Sequence, residues 1–148
     1  MSATARAPRT LTIALPEKFD GMPSLPSANQ LTRWNFSGQR WRLGKLRKAY
    51  AEAILEAKAL RGVPWGGPAQ RATVTIKRVA ARLLDEDNLI AGTKGLLDSL
   101  VRSGVLINDR PENLILVVTQ EQVVKRRLLK GQSPAWRGVA VLVEEKTP

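Results

Sequence analysis

Four of the chain's five aspartates, Asp85, Asp87, Asp98 and Asp109, fall in one short stretch, and between Leu83 and Val101 the only cation is Lys94. Asp85, Glu86, Asp87 and Asp98 against Lys94 leave that segment at −3 in a chain of formal net charge +11. Carboxylates crowded together repel one another unless a cation sits among them, and a divalent metal ion is the simplest such cation. The chain has no His and no Cys, which excludes Ser-His-Asp and Cys-His nucleophiles, histidine bases and His- or Cys-bound zinc. What remains is hard-cation chemistry on oxygen ligands, with Lys and Tyr as the other candidate groups.

The spacing supports this. Asp85 and Asp87 lie two residues apart where extended backbone gives way to helix, so their side chains leave the same face, and the helix amides beyond favour negative charge there. On one continuous helix Asp87, Lys94 and Asp98 fall within about 20° of a common direction, opposite the apolar residues Leu89, Leu96, Leu97 and Leu100. Taken singly, each aspartate also fits a cap or a turn, and Lys94 fits an intrahelical pair with Asp98. Gly92-Thr93-Lys94-Gly95 lacks the spacing of a nucleotide-binding phosphate loop.

The charge names the partner. With 24 Lys and Arg against 13 Asp and Glu, and a pI near 10.9, the chain suits a polyanion whose counterions it displaces. Residues 33–42 interleave cations with rings: Arg33, Trp34, Arg40 and Arg42 stand among Phe36 and Trp41, and Lys45, Arg47 and Lys48 carry the basic surface onward. A second basic group, Lys125, Arg126 and Arg127, lies farther on. These are the candidate DNA contacts; alternatively, the aromatic rings anchor a loop to the core.

The elements that must position these residues follow from periodicity. Alternation predicts strands at 10–15, 72–79, 113–124 and 138–144, and three- and four-residue spacing predicts helices at 41–61 and 86–102. Residues 17–40, rich in Pro, Gly, Ser and Asn, read as a long loop. The expectation is a single α+β domain over 10–148, a mixed sheet of about four strands flanked by two main helices, after a flexible basic arm at 1–9. No apolar run reaches the length of a membrane span and no secretory signal is evident, so a cytoplasmic location is expected.

The run Asp85-Glu86-Asp87-Asn88-Leu89, then Lys94, Asp98-Ser99-Leu100, Gly104 and Asn108-Asp109, resembles the signature of the RusA-type Holliday-junction resolvases. The resemblance implies a RusA-like fold and a homodimeric endonuclease that nicks four-way DNA in recombination and repair. It implies Mg2+, replaceable by Mn2+, on Asp85, Asp87 and Asp109, with Lys94 assisting at the phosphate. Two positions depart from the pattern: Asn108 stands where the family often has Asp, and Lys94 lies about one helical turn farther from Asp87. The alternatives are a non-catalytic DNA- or RNA-binding protein and a nuclease of the same fold acting on flaps or forks.

Overall fold

The computed structural model describes residues 7–123, 129–131 and 135–146. Strand β1 (Thr10–Pro16) alternates strictly, burying Leu11, Ile13 and Leu15 and exposing the residues between them. Its neighbour is the last strand, β6 (Gly138–Glu145), antiparallel, with Ile13 opposite Val141. β6 pairs antiparallel with β4 (Ala72–Ala80), and β4 pairs parallel with β5 (Leu114–Gln122), giving a four-stranded mixed sheet in the order β1-β6-β4-β5. The expected α+β class and four-stranded sheet are therefore present.

One face of the sheet is covered by helices. Helix α2 (Trp41–Leu60), about 30 Å long by its residue rise, turns Leu46, Tyr50, Ile54 and Ala57 into the core. Helix α4 (Lys94–Arg102) adds Leu96, Leu97 and Leu100. The other face carries no helix and mixes polar and apolar residues: Thr12, Leu142, Thr75 and Val117 line up across the four strands.

Three expectations are corrected. Residues 17–40 are not a loop: they fold into a small hairpin, β2 (Lys18–Phe19) and β3 (Met22–Pro23), and helix α1 (Ala28–Phe36). A reciprocal capping box starts α1, with Ser27 Oγ accepting from the Gln30 amide and Gln30 Oε1 accepting from the Ser27 amide. The helix expected at 86–102 is two, α3 (Glu86–Ala91) and α4, so the sheet carries four helices among the described residues. At the break Gly92 packs against the Pro26 carbonyl so closely that a Cβ there would overlap it, and Thr93 turns its hydroxyl back to the Ile90 carbonyl.

The third correction is at the N-terminus. Arg9 is buried rather than part of a flexible arm. Its guanidinium grips the Glu145 carboxylate, donates to the carbonyls of Trp65 and Gly67, and lies 4.3 Å above the Trp65 ring. A buried ion pair is tolerable when its remaining donors are satisfied in this way.

Candidate functional site

Residues 81–85 leave β4 and are tied back to β5 by glutamines. The Gln120 amide donates to the Leu84 carbonyl at 2.6 Å and accepts from the Leu84 amide at 2.9 Å, and Gln122 donates to the Ala81 carbonyl. Arg78, whose pKa is lowered by burial and raised in part by Glu17, donates to the Arg82 carbonyl at 2.7 Å. The residue before Asp85 is thus clamped on both sides of its peptide. On the other flank, Asn88 Oδ1 accepts from the first amide of α1, at Ala28.

Between these anchors stand Asp85 and Asp87, both exposed. Asp85 occupies the N-cap position of α3 but makes no capping hydrogen bond. No ion pair holds Asp85, Glu86, Asp87, Asp98, Asp109 or Lys94 among the described residues, so the intrahelical Lys94–Asp98 pair is absent too. Asp109 is likewise not the turn-former of its loop. That work falls to Asn108, whose Oδ1 accepts from the Arg110 amide and the Asn113 side chain. Cap and turn roles therefore leave the carboxylates of Asp85 and Asp109 unoccupied.

The three carboxylates do not meet within one chain. β4 and β5 are parallel and paired from Ala72–Leu114 to Ala80–Gln122, so the loop after β4 and the loop before β5 lie at opposite ends of the pair. Leu84 is bonded to Gln120, whereas the Asp109 loop runs into Asn113, whose carbonyl accepts from Ala72. The strand between Asn113 and Gln120 spans roughly 20 Å. Among the described residues no three acidic side chains gather in a group able to hold a metal ion. The helix break also ends the shared face expected of Asp87, Lys94 and Asp98.

Lys94 is the exposed first residue of α4 and lines a cleft of about 230 Å³ between α1, α2 and the α3–α4 junction. Asp98 and Arg47 stand on the same walls, and Leu31, Leu43, Leu46 and Tyr50 supply apolar surface. Burial raises the ionisation of the Tyr50 hydroxyl far above the ordinary tyrosine value; it stays a neutral donor, to the Ser24 carbonyl.

The basic surface divides. Trp34, expected at the DNA, is 5% exposed and belongs to the core, because its helical phase places it with Leu31 on the inner side of α1. Phe36, two residues on, is 88% exposed and Trp41 54%. Arg42 lies 4.9 Å from the Trp41 ring and 5.8 Å from Trp34, and Lys45 lies 5.4 Å from Trp41. Arg33, Arg40, Arg47 and Lys48 are exposed; Lys125, Arg126 and Arg127 fall outside the described residues. Sequence reasoning missed Gln120 and Gln122, which look like ordinary strand residues until the loop folds against them. No helix among the described residues is long and apolar enough to cross a membrane.

No family model matches this sequence, and no curated protein matches it.

Proposed function

We propose that the protein is a divalent-metal-dependent endonuclease for branched DNA, with the four-way junction as its substrate. The observation that carries this reading is the setting of Asp85 and Asp87: two carboxylates without cap bonds or ion pairs, held at a strand end by Gln120 and Asn88, in a strongly basic chain. Asp85 and Asp87 are hard oxygen donors suited to Mg2+ or Mn2+. Such an ion supplies positive charge at a phosphate and a source of hydroxide near neutral pH. Lys94 would offset charge on the phosphoryl oxygens, and cleavage with the 3′ oxygen as leaving group gives a 5′ phosphate.

Two donors are few, and the third lies at the far end of β5. A second copy corrects this. β5 is the outermost strand among the described residues, and Ile115 (50% exposed) and Val117 (40%) lie on the bare face beside its edge. Two β5 edges paired antiparallel about an axis near Val117 would bring Asn113 of one copy opposite Glu121 of the other. The Asp109 loop would then lie beside the Asp85–Asp87 end of its partner, twice. A C2 dimer with two such composite sites matches a substrate with two strands to cut.

The dispersal of carboxylates within one chain favours a second reading, a non-catalytic DNA- or RNA-binding protein. One experiment separates the two. Purified protein is incubated with a four-way junction, a flap, a fork and a duplex, in Mg2+ or in chelator. Paired nicks in the junction support the proposal, nicks confined to flaps or forks redirect it to another branched DNA, and shifted bands without nicks support the binder. Asp87→Asn and Asp109→Asn should each abolish cleavage and leave junction binding intact. Mixed and re-assembled, the two inactive variants should recover nicking, because one composite site in each mixed dimer is whole. No recovery would reject shared sites.

A further inference from the structure

The mechanism above leaves Asp98 unused, although it stands half-buried on the wall of the cleft with no hydrogen bond or ion pair among the described residues. A carboxylate is an odd lining for a surface that must meet a polyanion, unless it accepts a hydrogen bond from the ligand. Asn35, on the same cleft, is also without a partner. The cleft's apolar surface comes from Leu31, Leu43, Leu46 and Tyr50. At about 230 Å³ it lies below the range of drug-sized pockets and suits one flat ring system.

Beside it runs a shallower groove of about 400 Å³ between α2 and α4. Arg47, Lys48 and Arg102 line it with Ser99 and Ser103, and no carboxylate does. Gly44 and Ala51, on the same face of α2, leave it open. Arg47 belongs to both depressions and forms part of the wall between them. A slot of apolar surface edged by Asp98, Asn35 and Lys94, adjoining a cationic trough, is the layout of a nucleotide: base in one, phosphate in the other.

We infer that α2 and α4 hold one unstacked nucleotide of the bound strand, its phosphates along Arg47, Lys48 and Arg102 and its base in the cleft with an exocyclic amine toward Asp98. This rests on the reading of the protein as DNA-binding but not on its cutting DNA. Cytosine and thymine test it well, because the two rings stack alike and differ at the group facing the carboxylate: cytosine donates from an amine where thymine carries a carbonyl that the carboxylate repels.

The experiment is equilibrium binding of the full chain to oligo(dC) and oligo(dT) of equal length, by fluorescence anisotropy in chelator, so that a protein without nuclease activity is still informative. Oligo(dC) should bind roughly tenfold more tightly. Asp98→Asn should erase most of that difference by strengthening oligo(dT), since the amide can present either edge. Arg102→Glu should weaken both by a similar factor and flatten the salt dependence, leaving the base preference in place. Equal binding of the two oligomers by the natural chain overturns the assignment, as does a preference that survives Asp98→Asn. Unchanged affinity in Arg102→Glu overturns the phosphate groove. Failure of the chain to bind either oligomer overturns this inference alone, absence of any shifted band with junction, flap, fork and duplex overturns the DNA reading, and binding without nicks overturns only the nuclease.

Discussion

The two ends of the β4–β5 pair carry the same acid in opposite settings. At the far end of β4, the Asp85–Asp87 segment is held by groups from two other elements and a connection: Gln120 on β5, the α1 amide that bonds Asn88, and, just beyond α3, the carbonyl of Pro26 between β3 and α1, packed on Gly92. At the start of β5, Asp109 rides on a turn that Asn108 organises from within, through Arg110 and Asn113. The first end is rigid because distant parts of the chain agree on it. The second closes its own turn between two anchors, with Ala69 bonded to Val105 and Ile107 before it and Ala72 to Asn113 after it. The proposed site shared between copies would fit that division, with Asp85 and Asp87 held from several sides in each protomer and the Asp109 turn supplying the third carboxylate.

Three substitutions sharpen or break this contrast. The largest effect is expected from Gly92→Ala, whose methyl group meets the Pro26 carbonyl: overpacking of this kind costs about 1–3 kcal/mol, read as a lower urea midpoint with an unchanged slope. Full stability would show that α1 yields easily and that the rigid end is not rigid.

Next comes Gln120→Leu, which keeps the bulk and removes both bonds to the Leu84 peptide, at a cost of about 1–2 kcal/mol. Its distinguishing mark is functional. On the proposed nuclease reading, the Mg2+ concentration for half-maximal cleavage should rise while junction binding in chelator stays the same, because Gln120 holds the peptide that precedes Asp85. An unchanged metal requirement would reduce Gln120 to a structural residue.

The smallest effect is expected from Asn108→Ala, about 1 kcal/mol or less, since the turn it closes is exposed and local. Backbone hydrogen exchange should speed up in that turn and not around Leu84. Faster exchange at both ends would mean that they are coupled and would dissolve the contrast.

Much of the fold was readable because apolar spacing reports burial directly: Leu11, Ile13 and Leu15 mark a strand, and Leu46, Tyr50 and Ile54 a helix. Helix α1 was hidden by composition. Its Ser27-x-x-Gln30 box was there to be read, but the surrounding Pro, Gly and Ser residues outweighed it. The same phase separates Trp34 from Phe36: two rings among cations look alike in sequence, and only the helical angle shared with Leu31 sends one inward. The candidate acids were legible as a cluster in sequence, yet clustering along a chain is not proximity. Asp109 is carried away by the parallel pairing of β4 with β5, which no period in either strand announces. The break after α3 coincides with a contact to Pro26, 66 positions earlier, and a glycine alone does not declare that contact.

That contact has a mechanical consequence. With no slack between Gly92 and the Pro26 carbonyl, and Asn88 bonded to the first amide of α1, the aspartate-bearing helix and the ring-bearing helix are joined at two points. On the proposed reading, a DNA strand pressing on the exposed ring of Phe36 would shift Asp85 and Asp87 with it, so that binding at the ring would be felt at the carboxylates.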